Sequence, residues 1–567
     1  MMDTSRLKAL EGHLERWGAF FIMGLGMVLY ALSWSYPTVS LDDPWLIENN
    51  RSLQNLDFGL SLRLFSDLTV PFRLQLGSEY LPIRDLSIAA DFALFGQHYG
   101  GFHFTNTLLY GVLCALVFLL LARLFEKRKF AWFGSLVFLT HPVHVEAVAW
   151  LSERKGLLCA VFMLCAALLF LKHLRSPRWW TLTLAALCCI LSVWSKAIGI
   201  TTPALLAVLV WLELPSAALF KKRNAFAWII LCLSSTAAFV PVWWVGQMVG
   251  MVQEHPSWLQ KLSTLALLHG HYLSRLALLG PYGIRYPLDP NHPDAVMLIA
   301  GFCFMAALAA VMLCKRCPPL LRAAAWLWCI FFAPVSHLLT PLQNLAQDRY
   351  MLLPSLAWVI ALCSIAPFLQ RTRLGSLLAV ALVLIQCLLS LLQLPAWKSS
   401  EALYRQALIV DPKNGTAMIA VANELEKRGA IDQAWTWLDK AEQLPQSKSR
   451  AYLHKALIAR SKGDLAMALK LMHQAAQDKN NDKAQANYAL MLLGAGEKEK
   501  ARHWAKQAIR TRPLIEHNQR SLGIVALENR NFAVAKQAFK TALRLNPQNP
   551  INHKNLQLLH NSSHTSP

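Results

Sequence analysis

Runs of about 20 apolar residues are what this chain can least escape. A run of that length is long enough to cross a bilayer as a helix, and it makes a poor surface in water. Eleven such runs occupy roughly 17–36, 105–125, 130–149, 156–171, 179–196, 198–214, 225–245, 294–314, 322–341, 351–369 and 374–394. The chain is 55% hydrophobic and only 16% charged over 567 residues. It is therefore expected to be all-α, with a polytopic membrane domain over 1–394. A twelfth stretch, 264–280, is apolar but carries His269, His271 and Arg275 and ends in Gly280-Pro281.

Positive charge arbitrates the topology, because Lys and Arg collect in cytoplasmic loops. Lys127-Arg128-Lys129, Lys172 with Arg175 and Arg178, Lys221-Lys222-Arg223, Lys315-Arg316 and Arg371 with Arg373 fall on one side only if 264–280 does not cross fully. That stretch is expected to be re-entrant or interfacial. The N-terminus is then cytoplasmic. The loop 37–104 and everything after 394 lie outside the cytoplasm. The first run has no small-residue cleavage site and reads as an anchor.

From 395 onward the pattern changes to a repeat. Ala434, Ala468, Ala501 and Ala535 recur at 33–34 residues. Gly429, Gly463 and Gly496 keep the same period, with Arg530 in the fourth place. Small residues at this period let two helices of a hairpin approach, and stacked hairpins share one core. Residues 395–567 are thus expected to be an α-solenoid of TPR repeats, with units beginning near 415, 449, 482 and 516. The net charge is +22, and 26 Lys and Arg against 14 Asp and Glu lie from Lys398 onward. This reads as a positive-inside bias plus a basic soluble surface, not as a nucleic-acid interface. All twelve cysteines lie between Cys114 and Cys387, which excludes a disulfide framework in the repeat domain. Cys314-Lys315-Arg316-Cys317 lacks the second half of a zinc site and reads as a helix end.

The chemistry concentrates on the outer side. Asp42 and Asp43 stand just beyond the first span, where a carboxylate can take a proton from an acceptor hydroxyl; the plain alternative is a solvated loop. His141-Pro142-Val143-His144-Val145-Glu146 and Glu153-Arg154-Lys155 follow the third span. Arg84, His103, Asn106, Lys196, Tyr286, Gln343, Asp348, Arg349 and Tyr350 fall on the same side. Ionisable groups at membrane depth are costly and mark function or pairing. Arg84, His141, His144, Glu146, Arg154, Lys155, Lys196 and Arg349 are the candidates for holding a lipid-linked phosphate. Together they are expected to form a cationic, His-containing cavity facing the Asp pair.

These motifs, in this order, resemble those of bacterial membrane proteins with a TPR tail. Those proteins are related to the eukaryotic transmembrane-and-TPR O-mannosyltransferases. The similarity extends to the junction Ala396-Trp397 through Tyr404, Asp411-Pro412 and Asn414. The chain departs from it at Tyr80-Leu81-Pro82-Ile83, at Gly156 and at Ala197. The resemblance implies a GT-C-type glycosyltransferase that takes a sugar from a polyprenyl phosphate and passes it, with inversion, to an acceptor outside the cytoplasm. It implies that one of Asp42 and Asp43 is the base, that a protein acceptor meets the TPRs, and that no cofactor is firmly required; dependence on a divalent metal stays open. Asn50, Asn414 and Asn561 would be glycosylation sites in an endoplasmic reticulum lumen. A glycan at Asn50 would obstruct the Asp pair, which favours a bacterial inner membrane. Two other functions are open to such a chain: a membrane-anchored TPR adaptor without catalysis, and a polysaccharide polymerase or ligase using the same kind of donor.

Overall fold

The computed structural model describes residues 4–213, 222–248, 257–339, 342, 344–369, 372–547 and 549–564. Among them every regular element is helical. The chain divides into two compact units, Met1–Leu68 with Glu79–Ser399, and Thr69–Ser78 with Ser400–Pro567.

The first unit is built from apolar helices. Tyr99–Leu124, Leu151–Arg175, Asn224–Met248, Ala295–Leu313 and Arg373–Lys398 are long and apolar enough to cross a membrane. Trp179–Ser195, Ala197–Glu213, Pro319–Val335 and Pro354–Pro367 are apolar but shorter. The first expected span falls on Thr4–Leu29 and the turn Ala31–Ser35. The run expected over 130–149 is not one helix. It ends at Thr140 and breaks into short turns at Pro142–His144 and Val145–Ala149. Pro142 is the cause: it has no N–H to donate, and it forces the preceding His141 into an extended conformation, ψ 123°. The stretch expected to be re-entrant or interfacial lies on a 19-residue helix, Trp258–Leu276, capped by Ser257.

Small residues bring helices into backbone contact. A Cβ placed on Gly301 would lie 1.8 Å from the Ala266 carbonyl oxygen, and one on Gly270 1.9 Å from that of Met297. The helices Trp258–Leu276 and Ala295–Leu313 therefore touch along their backbones, as apolar helices do when side-chain bulk is removed.

The second unit repeats one motif. Helix pairs Gly415–Lys427 with Ile431–Glu442, Pro445–Ser461 with Leu465–Ala476, Asp482–Gly494 with Lys498–Thr511, and Glu516–Glu528 with Phe532–Leu545 are followed by Pro550–His564. Ala434, Ala468, Ala501 and Ala535 are fully buried between paired helices. Gly429, Gly463 and Gly496 end their helices at φ near +80° (77°, 84° and 83°). Arg530, at the equivalent place, holds φ 57° without glycine's freedom. The second repeat starts earlier than the expected 449, because Pro445 opens its helix at a position that needs no N–H.

Gly301→Ala should cost about 1–3 kcal/mol by overpacking against a backbone that has no side chain to move aside. Gly24→Ala, with no atom within 4 Å of its Cβ, should leave the melting temperature in detergent unchanged. Equal melting of the two variants would contradict the close approach.

Candidate functional site

The broken stretch after Thr140 is buried throughout, from His141 to Arg154. Irregular backbone at membrane depth needs internal partners, and its side chains supply them. His144 is held between the Tyr110 hydroxyl, 2.9 Å, and Ser355 Oγ, 2.8 Å. His141 accepts from the Val143 N–H and reaches the Leu276 carbonyl, 3.2 and 3.3 Å. Both nitrogens of both rings are thus bonded within the protein, and the two histidines tie elements together.

The carboxylates do the same with the cations. Glu146 accepts from the Arg349 N–H at 3.1 Å and pairs with its guanidinium. Glu153, fully buried, pairs with Lys196 and lies 3.3 Å from Arg349. Arg154 meets Asp91 at 2.5 Å and donates to Asn106 at 2.8 Å and to the Phe102 carbonyl at 2.9 Å. Asn106 in turn donates to the Val148 and Trp150 carbonyls. Arg84 pairs with Asp85 at 2.7 Å and Glu79 at 3.0 Å, and Lys155 with Glu79 at 2.8 Å. The five expected cations are therefore each matched by a carboxylate. The cluster is an ion-pair network in which carboxylates answer the cations that charge placement picks out.

Exposure sorts this network into two layers. The Arg84 and Arg154 side chains are 1% and 0% exposed and are closed in. Lys196, Lys155 and Arg349 are 23%, 19% and 11% exposed, and Glu79 33%. These four, with half-buried Asp42, are the charged groups a solute can reach. Burial would raise Glu79, but Lys155 and Arg84 outweigh it and hold its carboxyl down at about 2. Gly156 leaves room here: a Cβ would lie 2.5 Å from Glu153 Oε1.

The neighbouring aspartates differ. Asp43 is 1% exposed. One of its oxygens accepts from Ser152 N–H, 3.2 Å, and Oγ, 2.5 Å; the other accepts from Val39 N–H, 3.1 Å. It pins the first loop to the broken stretch. Burial pushes its carboxyl up to about 6, against the pull of those hydrogen bonds. Asp42 keeps an open face and lies within electrostatic range of Arg84.

The remaining candidates gather beside Arg349. The Tyr286 hydroxyl donates to buried Asp348 at 2.5 Å and accepts from the Gly283 N–H at 3.1 Å. Burial and the nearby Glu146 carboxylate push Asp348 well up. The Arg349 guanidinium stacks on Trp150 at 4.7 Å and Tyr350 at 5.3 Å. His103 is buried with its ring edge-on to Tyr36. Gln343 lies outside the described residues. Sequence reasoning missed Glu79 and Asp91 and gave Ser152 and Glu153, which lie in the polar stretch after the third span, no role of their own. Glu79 sits 76 residues from Lys155, and no local pattern marks such a pairing.

Fold and site together define a class: an apolar helical bundle enclosing a charge-balanced polar cluster, followed by a TPR array. No family model matches the chain. It is similar along most of its length to the protein O-mannosyl-transferases called TMTC. It is 24% identical to TMTC3 of Mus musculus, over 83% of this chain and 57% of the relative. It is 24% identical to TMTC4 of Homo sapiens, over 73% of this chain and 64% of the relative. The chain thus spans less than two thirds of either relative. Tmtc1 of Drosophila melanogaster is 31% identical over 21% of this chain and 14% of its own. Among solved structures, yeast Tom70 overlaps 80% of this chain and 88% of its own at 14% identity, with a TM-score of only 0.26.

Asp43 gives a pH test. Its folded pKa lies above the ordinary value of 3.8, so folding favours the protonated form. Its contribution to stability is present below about pH 4 and lost as pH rises through about 6. Wild-type stability measured against Asp43→Asn should fall by about 2 kcal/mol between pH 4 and 7. A difference that stays flat, or grows, over that range would contradict the burial.

Proposed function

We propose that the chain is a GT-C-type membrane glycosyltransferase. It moves a sugar from a polyprenyl-phosphate donor to a hydroxyl group of a protein outside the cytoplasm, and its TPR domain positions that acceptor. The N-terminus is cytoplasmic, the repeats are periplasmic, and the membrane is a bacterial inner membrane. The single observation that carries this reading is the division of labour between adjacent aspartates. Asp43 is consumed by three hydrogen bonds, while Asp42 stays accessible in a cluster where Lys155, Lys196 and Arg349 also keep open faces. The similarity to protein O-mannosyl-transferases supports the same reading.

In this mechanism Asp42 is the base. As the acceptor oxygen attacks the anomeric carbon, Asp42 takes its proton. The bond from that carbon to the phosphate oxygen breaks, and the lipid phosphate departs with the electron pair. Lys155, Lys196 and Arg349 stabilise the growing negative charge, which is largest in the transition state. Glu146 and Glu153 keep those cations in place. Arg84, Arg154, Asn106, His141 and His144 hold the frame around them, and Tyr286, Asp348 and Tyr350 position Arg349.

One observation favours a second reading, a non-catalytic TPR adaptor. Each cation of the cluster already has a carboxylate, so the network would also serve an anchor that only needs to stay folded.

Asp42→Asn should lower transfer at least 100-fold, within the span usual for loss of a general base. Its membrane level and melting temperature should match wild type. Asp43→Asn should lower both transfer and the ordering of the first loop, read as faster proteolysis there. Wild-type transfer by Asp42→Asn in purified membranes would sink the assignment.

A further inference from the structure

One group of cations in the apolar unit is not answered by carboxylates. Around Arg349 each expected cation meets one. Lys315 and Arg316 lie on the turn between the helices Ala295–Leu313 and Pro319–Phe332, and Arg322 lies in the first turn of the second helix. None of the three meets a carboxylate among the described residues.

Arg322 is fixed in place but not used up. Its Nε donates to the Met312 carbonyl at 3.4 Å, at the end of Ala295–Leu313, where helix carbonyls lack intrahelical partners. Its guanidinium lies over the Trp211 ring, 5.0 Å from the centroid. Trp211 belongs to the helix Thr202–Glu213, whose terminal Glu213 is already taken by Arg123 and Arg175. The two terminal nitrogens of Arg322 make no hydrogen bond among the described residues. They are the planar fork that fits two oxygens of a phosphate.

Beside Arg322 the helices leave an apolar groove. Ala307, Ala324, Ala325, Ala357 and Ala361, with the Trp328 ring, line a space of about 150 Å³ between Ala295–Leu313, Pro319–Phe332 and Pro354–Leu369. Ala324, Ala325, Ala357 and Trp328 are buried, Ala361 is half-buried and Ala307 is exposed. The groove is therefore closed at its floor and open along Ala295–Leu313, a helix long and apolar enough to cross a membrane. An apolar cavity of about this volume stays dry and takes a guest the size of benzene. The lining runs from Val311 to Phe304 on one helix and from Leu321 to Trp328 on the next, about 10 Å of helix. That is roughly a third of a bilayer's hydrocarbon core. Val311 and Leu321 form one end of the groove. Arg322 follows Leu321 in the chain and bonds to Met312, which follows Val311, so charge and groove meet at that end.

We propose that this groove binds one acyl chain of an anionic phospholipid, whose phosphate sits on the Arg322 fork. Lys315 and Arg316, both exposed, add attraction at the same turn. The two halves of the site select the ligand together. A free phosphate has no use for the groove, and a neutral lipid tail has no use for the fork. A zwitterionic head group brings its own cation to a place that already holds three. The proposal does not rest on sugar transfer.

The test is native mass spectrometry of the full-length chain in mild detergent, with phosphatidylglycerol and phosphatidylcholine of identical acyl chains at equal concentration. One phosphatidylglycerol should be retained per chain, at least tenfold over phosphatidylcholine. Arg322→Gln should lower that adduct at least fivefold, whereas Arg373→Gln, which removes an exposed cation from another helix, should leave it unchanged. Ala307→Leu with Ala361→Leu fills the groove without touching charge and should also lower it at least fivefold, at an unchanged melting temperature. Glycerol 3-phosphate, a head group without a chain, should not compete. Equal retention of the two lipids, an adduct indifferent to Arg322→Gln, or an adduct indifferent to the filled groove overturns the proposal. So does displacement by an equal concentration of a polyprenyl phosphate, which assigns the groove to an isoprenoid chain. Should Arg322→Gln fail to fold, the lipid preference of wild type and the filled-groove variant still decide.

Discussion

Buried charge in an apolar bundle governs this molecule. Arg84, Arg154, Glu146 and Glu153 are each within a few per cent of complete burial. An unpaired ion there costs several kcal/mol, whereas a fully paired one approaches neutrality. The network is therefore close to all-or-nothing. It can hold only if the first loop, the broken stretch after Thr140 and the segment around Arg349 are brought together at once. Asp43 makes the joint between the first two, through Ser152, and Glu146 and Glu153 make the joint to the third.

That constraint explains what was legible beforehand. The apolar runs and the 33–34-residue period are local patterns that repeat many times, so the helical bundle and the four hairpins could be read directly. The αL position after each first helix was marked by glycine three times; at Arg530 only the period marked it. One failure is local and one is not. Residues 130–149 look apolar enough to span, and one proline, Pro142, outweighs the hydropathy. Charge balance was invisible because its partners lie far apart in the chain. Lys155 and Glu79, or Arg349 and Glu146, share no pattern, and a count of cations on one side of the membrane misses the carboxylates that answer them.

The balance also refines how the site would work. A cluster of bare cations would bind phosphate tightly before and after reaction alike, and such uniform binding does not raise turnover. Under the proposed function, cations already held by Glu79, Glu146 and Glu153 are preorganised and would respond chiefly to the extra charge that appears as a phosphate departs. The paired aspartates follow the same logic. One is spent on holding the loop in place, which leaves the other fixed in position yet unspent.

The most direct test of sugar transfer is the intact mass of extracytoplasmic proteins from cells with and without this chain, at matched membrane content. A protein lighter by one hexose in cells lacking the chain, and restored by wild type but not by Asp42→Asn, is the predicted result. Unchanged masses throughout, or restoration by Asp42→Asn, would contradict catalysis at this site.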